Sequence, residues 1–212
     1  MLWGDNQVQK EYFKEKVLKL NSDRDYEEFA NEMLSEPIPW FFQNKFKNQS
    51  EEKYSKFRFY MSQKFSIPPT AVMLGGSSWF GFSLSPTKKF RDFNENSDVD
   101  IVIVSKNLFE GFWDAYLKEV VYKRLYGRPY EIIAKNTFKR FVHYEDGVDF
   151  PSSAAFYTNF EKQVSGYAKD LQLGFDFPEH IGYRIYRSWE DYNLSIIHTL
   201  KDIKENRDGC YR

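Results

Sequence analysis

Tyr12, Phe13, Val17, Leu18 and Leu20 recur at the three-to-four-residue spacing of one helical face, which predicts a helix over residues 7 to 20. A second helix is predicted over 22 to 35, with Ser22 as its cap ahead of Asp23 and Asp25, and Pro37 and Pro39 end that run. A third spans Ser50 to Phe65, opened by Glu51 and Glu52 where negative charge suits the positive helix end, and closed before Pro68-Pro69. Between the second and third, Trp40-Phe41-Phe42 reads as a buried wedge under the N-terminal helices.

From Thr70 onward the apolar runs shorten and turn residues separate them. Thr70 to Leu74 leads into Gly75-Gly76-Ser77, and a second apolar run follows Ser97-Asp98-Val99-Asp100. Residues 107 to 124 form an amphipathic helical pattern through Leu108, Phe112, Trp113, Tyr116 and Leu117. Further on, Pro129 to Ala134 is read as a strand, Ala154 to Leu173 as a helix, Ile181 to Arg187 as a strand, and a closing helix reaches about Glu205. This order predicts an α/β (α+β) protein: a mixed sheet flanked by helices, with an N-terminal helical extension over 1–65. Residues 66–212 then form the core and the C-terminal helix, packed with the extension as one unit.

With 212 residues, 42% of them hydrophobic, the chain can bury one sizeable core. Its 30 Lys and Arg nearly balance 31 Asp and Glu, so no overall field advertises nucleic acid or an anionic membrane. Cys210 is the single cysteine, which excludes an internal disulfide and a multi-cysteine zinc site and fits a cytoplasmic setting. No run of roughly eighteen apolar residues occurs, so no membrane partner is expected. Most of the many Phe and Tyr residues are read as core rather than as a base-stacking surface.

The candidate chemistry lies around the first two strands. On an extended segment the period of two puts Asp98 and Asp100 on one face and Ile101 and Ile103 on the other. Two carboxylates that close repel unless a cation lies between them, and hard oxygen ligands suit Mg²⁺ or Mn²⁺ held together with substrate phosphates. Gly75, Gly76 and Ser77 let the backbone turn sharply toward a phosphate, with Ser77 and Ser78 offering donors at a helix start. His143, His180 and His198 have no metal-ligand spacing, and no nucleophile elbow is present.

Gly76-Ser77 followed by Ser97-Asp98-Val99-Asp100 resembles the signature of the DNA polymerase β-like nucleotidyltransferase superfamily. The longer stretch from Gly76 to Pro86, taken with Ser97 to Ser105, is similar to small bacterial nucleotidyltransferase-domain proteins. The resemblance implies phosphate contacts at Gly76 and Ser77, with Ser78 beside them, and metal ligation by Asp98 and Asp100. Ser97 would orient the strand. It also implies a third carboxylate on a later strand, for which Glu131 is the first candidate and Asp149 the next. The basic residues Lys88, Lys89 and Arg91 lie between the two motifs, either contacting phosphate or a polynucleotide or forming a solvated loop. Arg184 and Arg187 either bind a triphosphate or pair with Glu190 and Asp191.

The implied activity is Mg²⁺-dependent transfer of a nucleoside monophosphate from an NTP to an acceptor hydroxyl on RNA, protein or a small molecule, in a bacterial toxin or phage-defence setting. The alternative is a catalytically silent module of the same fold that binds nucleotide, RNA or a partner protein, as in a toxin–antitoxin assembly. A structural protein acting through its aromatic-rich helices is the third reading.

Overall fold

The computed structural model describes residues 6–145 and 155–209. Nine helices and four strands follow one another among them: α1 (Asn6–Lys19), α2 (Asp23–Leu34), α3 (Trp40–Phe46), α4 (Ser50–Phe65), β1 (Val72–Gly75), α5 (Gly76–Phe80), β2 (Val99–Val104), α6 (Lys106–Val121), α7 (Gly127–Phe138), β3 (Phe141–Glu145), α8 (Ala155–Phe175), β4 (Ile181–Tyr186) and α9 (Trp189–Gly209). The architecture is α+β, one four-stranded mixed sheet with flanking helices and a helical N-terminus. The chain divides into two compact units: a helical unit within Met1–Lys56, Leu74–Ser97 and Asn193–Arg212, and a sheet unit within Phe57–Met73 and Asp98–Tyr192.

In the helical unit, Ser22 caps α2 as its position suggests. Its hydroxyl accepts from the Asp25 backbone N–H at 3.2 Å, and the Asp25 carboxylate accepts from the Ser22 N–H at 2.9 Å. The N–H groups of Asn21 and Ser22 hold the Asp25 carboxyl below its ordinary range. Phe13 of α1 meets Phe29 of α2 with ring centroids 5.6 Å apart and Phe82 at 5.5 Å, which ties three segments into one aromatic core. Trp40-Phe41-Phe42 opens α3, where Phe41 and Phe42 are buried.

Gly81 ends α5 with φ +81°, a left-handed conformation that a side chain resists. A Cβ there would stand 2.6 Å from Asn6 Oδ1 and 2.8 Å from the Trp40 ring. Gly81→Ala is therefore expected to destabilise the protein by at least about 2 kcal/mol, read as a lower midpoint in urea unfolding.

The sheet unit carries β2, β4 and β3 side by side in that order, with β2 parallel to β4 and β3 antiparallel to β4. One face is fully apolar: Val99, Ile101 and Ile103 of β2, Ile181, Tyr183 and Ile185 of β4, and Val142 and Tyr144 of β3 are all buried. Phe160 of α8 lies on it, with centroids 5.3 Å from Tyr144 and 5.9 Å from Tyr183, and Phe112 of α6 meets Phe160 at 4.9 Å. The opposite face carries Asp100, Val102 and Val104, paired in register with Gly182, Arg184 and Tyr186.

One expectation is overturned in this region. Residues 129–134 are not a strand but part of α7, because Tyr130, Ile133, Ala134 and Thr137 repeat at helical spacing and Pro129 sits in the first turn, where its missing N–H costs nothing. The strand in this region is β3, where buried Val142 and Tyr144 alternate with exposed His143.

Candidate functional site

Parallel pairing of β2 with β4 sets the geometry around Asp100. Buried Val99 and Ile101 flank it in the chain, whereas Asp98, just before the strand, is exposed and Asp100 half-buried. This alternation turns both carboxylates away from the apolar face. The Val99 N–H donates to the His180 carbonyl at 3.2 Å and anchors this end of β2 to the approach of β4.

Beside Asp100 in register stands Gly182. A Cβ built there would lie 2.9 Å from Asp100 Oδ1 and 3.5 Å from His143 Nε2, so the missing side chain lets the Asp100 carboxylate lie close against the β4 backbone. The other carboxylate oxygen is engaged: Arg184 Nη2 donates to Asp100 Oδ2 at 3.1 Å. Asp100 is 17% exposed and Arg184 37%, so this ion pair is partly shielded from water. The negative charge of Asp100, working against burial, raises the Arg184 guanidinium above its usual range, and Arg184 Nε has no hydrogen-bond partner among the described residues. Glu145 occupies the β3 position in register with Gly182.

Gly76 opens α5 with φ +55° and Ser77 is half-buried, both within the helical unit. Ser78 is fully buried, and its hydroxyl donates to the Gly75 carbonyl at 2.7 Å, a bond that closes the turn onto itself. Lys88, Lys89 and Arg91 are exposed, on a loop pinned by Phe90, whose ring meets Phe13 at 5.7 Å and Phe82 at 6.2 Å. Glu131 is on the exposed side of α7, not on a strand, which removes the strand premise behind its candidacy. Asp149 and Cys210 lie outside the described residues. Arg187 pairs with Asp191, as one of its two readings had it, while Arg184 pairs with Asp100 instead of Glu190 or Asp191.

Among the described residues no group of three His, Cys, Asp or Glu is arranged to hold a metal ion, and no helix is long and apolar enough to cross a membrane. Two carboxylates still fit a single Mg²⁺, which keeps several waters and takes its remaining ligands from substrate phosphates. Asp98 is exposed, and Asp100 has Oδ1 close against Gly182. Gly182, Arg184 and His143 gather at Asp100 through strand register, and no local motif marks them as neighbours.

Fold and site define an α+β protein with a carboxylate pair opening a central strand and an arginine on the next. No protein-family model, no curated protein and no solved structure matches this chain.

Gly182→Ala probes this close approach directly. Its backbone is not in the left-handed region, so stability is expected to change by less than about 1 kcal/mol. The new methyl must displace the Asp100 carboxylate and weaken its bond to Arg184. If this site takes Mg²⁺ and a nucleotide, that affinity is expected to fall about tenfold in equilibrium dialysis.

Proposed function

We propose that the opening of β2 is a Mg²⁺–nucleotide site, and that the chain is a nucleotidyltransferase moving a nucleoside monophosphate from an NTP to an acceptor hydroxyl. The observation that carries this reading is the pair Asp98 and Asp100 facing away from the core, with Asp100 Oδ1 beside the side-chain-free Gly182. A bound Mg²⁺ supplies charge neutralisation of the triphosphate. Asp98 and Asp100 hold it and exclude anions that arrive without a cation, since unscreened phosphate meets their negative charge.

In the transfer itself the acceptor oxygen forms a bond to the α-phosphorus, the bond to the bridging oxygen breaks, pyrophosphate leaves and the hydroxyl proton passes to water. RNA, a protein side chain and a small molecule are the acceptor classes. Gly76 and Ser77 remain the phosphate-contacting candidates by resemblance, with Lys88 and Lys89 as further cations. A cytoplasmic setting is part of the proposal, since one cysteine in the chain suits a reducing compartment.

A second reading has its own support. The Arg184 guanidinium already neutralises Asp100, the role a cation plays in an active site, and this favours a catalytically silent module that binds nucleotide or a partner. Incubating the protein with each α-labelled NTP, Mg²⁺ and total RNA or protein separates the two. Label carried into a macromolecular or small-molecule product supports transfer; Mg²⁺-dependent retention of unaltered NTP supports the silent binder; neither outcome rejects both.

A further inference from the structure

We propose that a cavity within the helical unit, lined by α1, α2 and the end of α5, binds a primary alkylammonium group. Phe13, Phe29, Phe80 and Phe82 are its buried lining, and the half-buried Tyr12 and Glu32 are where it meets solvent. About 50 Å³ is open inside, more than a single water needs. Gln9 of α1 also lines this space and is 7% exposed, yet neither the oxygen nor the nitrogen of its amide has a hydrogen-bond partner among the described residues. An amide buried with both ends unmet is costly, and an occupant that donates to Gln9 Oε1 removes part of that cost.

Charge and ring chemistry select the occupant. Glu32 and the buried Glu36 belong to the lining, which includes no lysine, arginine or histidine among the described residues, so an anion is disfavoured there. The nearby cations of α1 stand outside it: Lys10 pairs with Asp92 and Lys14 with Glu11, each at 2.5 Å, and Lys16 lies 3.6 Å from Glu32. Lys16 also shows what this wall suits. Its ammonium is 5.7 Å from the Tyr12 ring centre and 6.0 Å from that of Phe29, so the chain already holds one alkylammonium against two rings and one carboxylate of the lining. A second, entering the cavity, donates to Gln9 Oε1 and lays its methylenes against the phenylalanines, leaving room for a water at Gln9 Nε2. A quaternary ammonium has no N–H to give the amide. Water alone gains little from phenyl walls, since it needs two or more polar partners for each molecule.

Backbone amide shifts during titration with n-butylammonium chloride at constant ionic strength test this. The parent is expected to show saturable shifts at Gln9, Phe13, Phe29 and Phe82, and tetramethylammonium and sodium are expected to produce none there. Gln9→Leu removes the unpaired amide at similar volume, so its urea midpoint is expected to hold or rise while n-butylammonium affinity falls about tenfold. Lys16→Met, at a half-buried position, removes a like charge and releases Glu32, and is expected to tighten binding about threefold. Blocked lysine, Nα-acetyl-lysine methylamide, binding about ten times more tightly than n-butylammonium assigns the group to a protein lysine, and comparable affinity assigns it to a free amine. A parent without saturable shifts, or with equal shifts from tetramethylammonium, overturns the proposal and leaves the cavity to ordered water. Affinity that Gln9→Leu does not lower, or that Lys16→Met does not raise, overturns it as well.

Discussion

Asp98→Asn combined with Asp100→Asn is expected to lower Mg²⁺-dependent nucleotidyl transfer on the order of a thousand-fold, because the site loses both negative charges that hold the cation against the triphosphate. The fold should survive. Asp98 is exposed and makes no contribution to the core, so its replacement is expected to move stability by less than about 0.5 kcal/mol. Asp100 differs: the repulsion expected between the two aspartates is offset in the folded chain by Arg184, so neutralising Asp100 removes an attraction. Asn still accepts one hydrogen bond from the guanidinium, which limits the cost to about 1 kcal/mol. Urea unfolding together with single-turnover transfer assays separates these effects. Transfer at the parental rate would remove Asp98 and Asp100 from the chemistry, and gross unfolding would make them structural residues.

The largest expected loss of stability lies elsewhere in the sheet unit, at Asp191. Its carboxylate is 2% exposed and accepts from Arg140 Nη1 at 3.2 Å, Arg187 Nε at 3.2 Å and the Ser188 hydroxyl at 2.9 Å. The Asp191 N–H in turn donates to the Ser188 hydroxyl at 3.1 Å, so the same residue fixes the first turn of α9 and holds the arginine that precedes β3. Asp191→Ala leaves two guanidinium groups facing a site with no anion, which is expected to cost about 3 kcal/mol. For a chain of this size that lowers the melting temperature by roughly 6 to 12 °C. Arg140→Ala and Arg187→Ala are expected to cost about 1 kcal/mol each, since both arginines reach solvent and the remaining partner still neutralises Asp191. Calorimetry showing Asp191→Ala no worse than the single arginine variants would mean that the network carries no cooperative stability.

Local pattern reveals much of this fold. Ser22 announces α2 because a cap acts within three residues, and β2 is legible because Val99, Ile101 and Ile103 must all reach one core. Where the sequence misleads, the reason is physical. Tyr130, Ile132 and Ile133 look like a strand in a short window, but the next turn of the pattern, Ala134 and Thr137, makes the segment helical. Its exposed apolar residues gave no warning, since periodicity records which residues are apolar and not whether a partner covers them. At the candidate site, Asp98 and Asp100 stand out by spacing alone. The Arg184 pairing and the close approach of Gly182 to Asp100 arise from β2–β4 register across some eighty intervening positions, a long-range fact with no local signature. Ser78 shows the converse: a hydroxyl in a phosphate-like motif that turns inward to its own Gly75 carbonyl.

The central claim is that a divalent cation and a nucleotide meet at the opening of β2. Paramagnetic broadening of the backbone amide signals by Mn²⁺ in the presence of a nonhydrolysable NTP tests it most directly, because broadening falls steeply with distance from the ion. Selective loss of the Asp98, Val99, Asp100 and Gly182 signals, reversed by excess Mg²⁺ and absent from the Asp98→Asn, Asp100→Asn protein, is the predicted result. Signals at these four residues that stay sharp while Mn²⁺ and nucleotide are bound elsewhere would contradict the account.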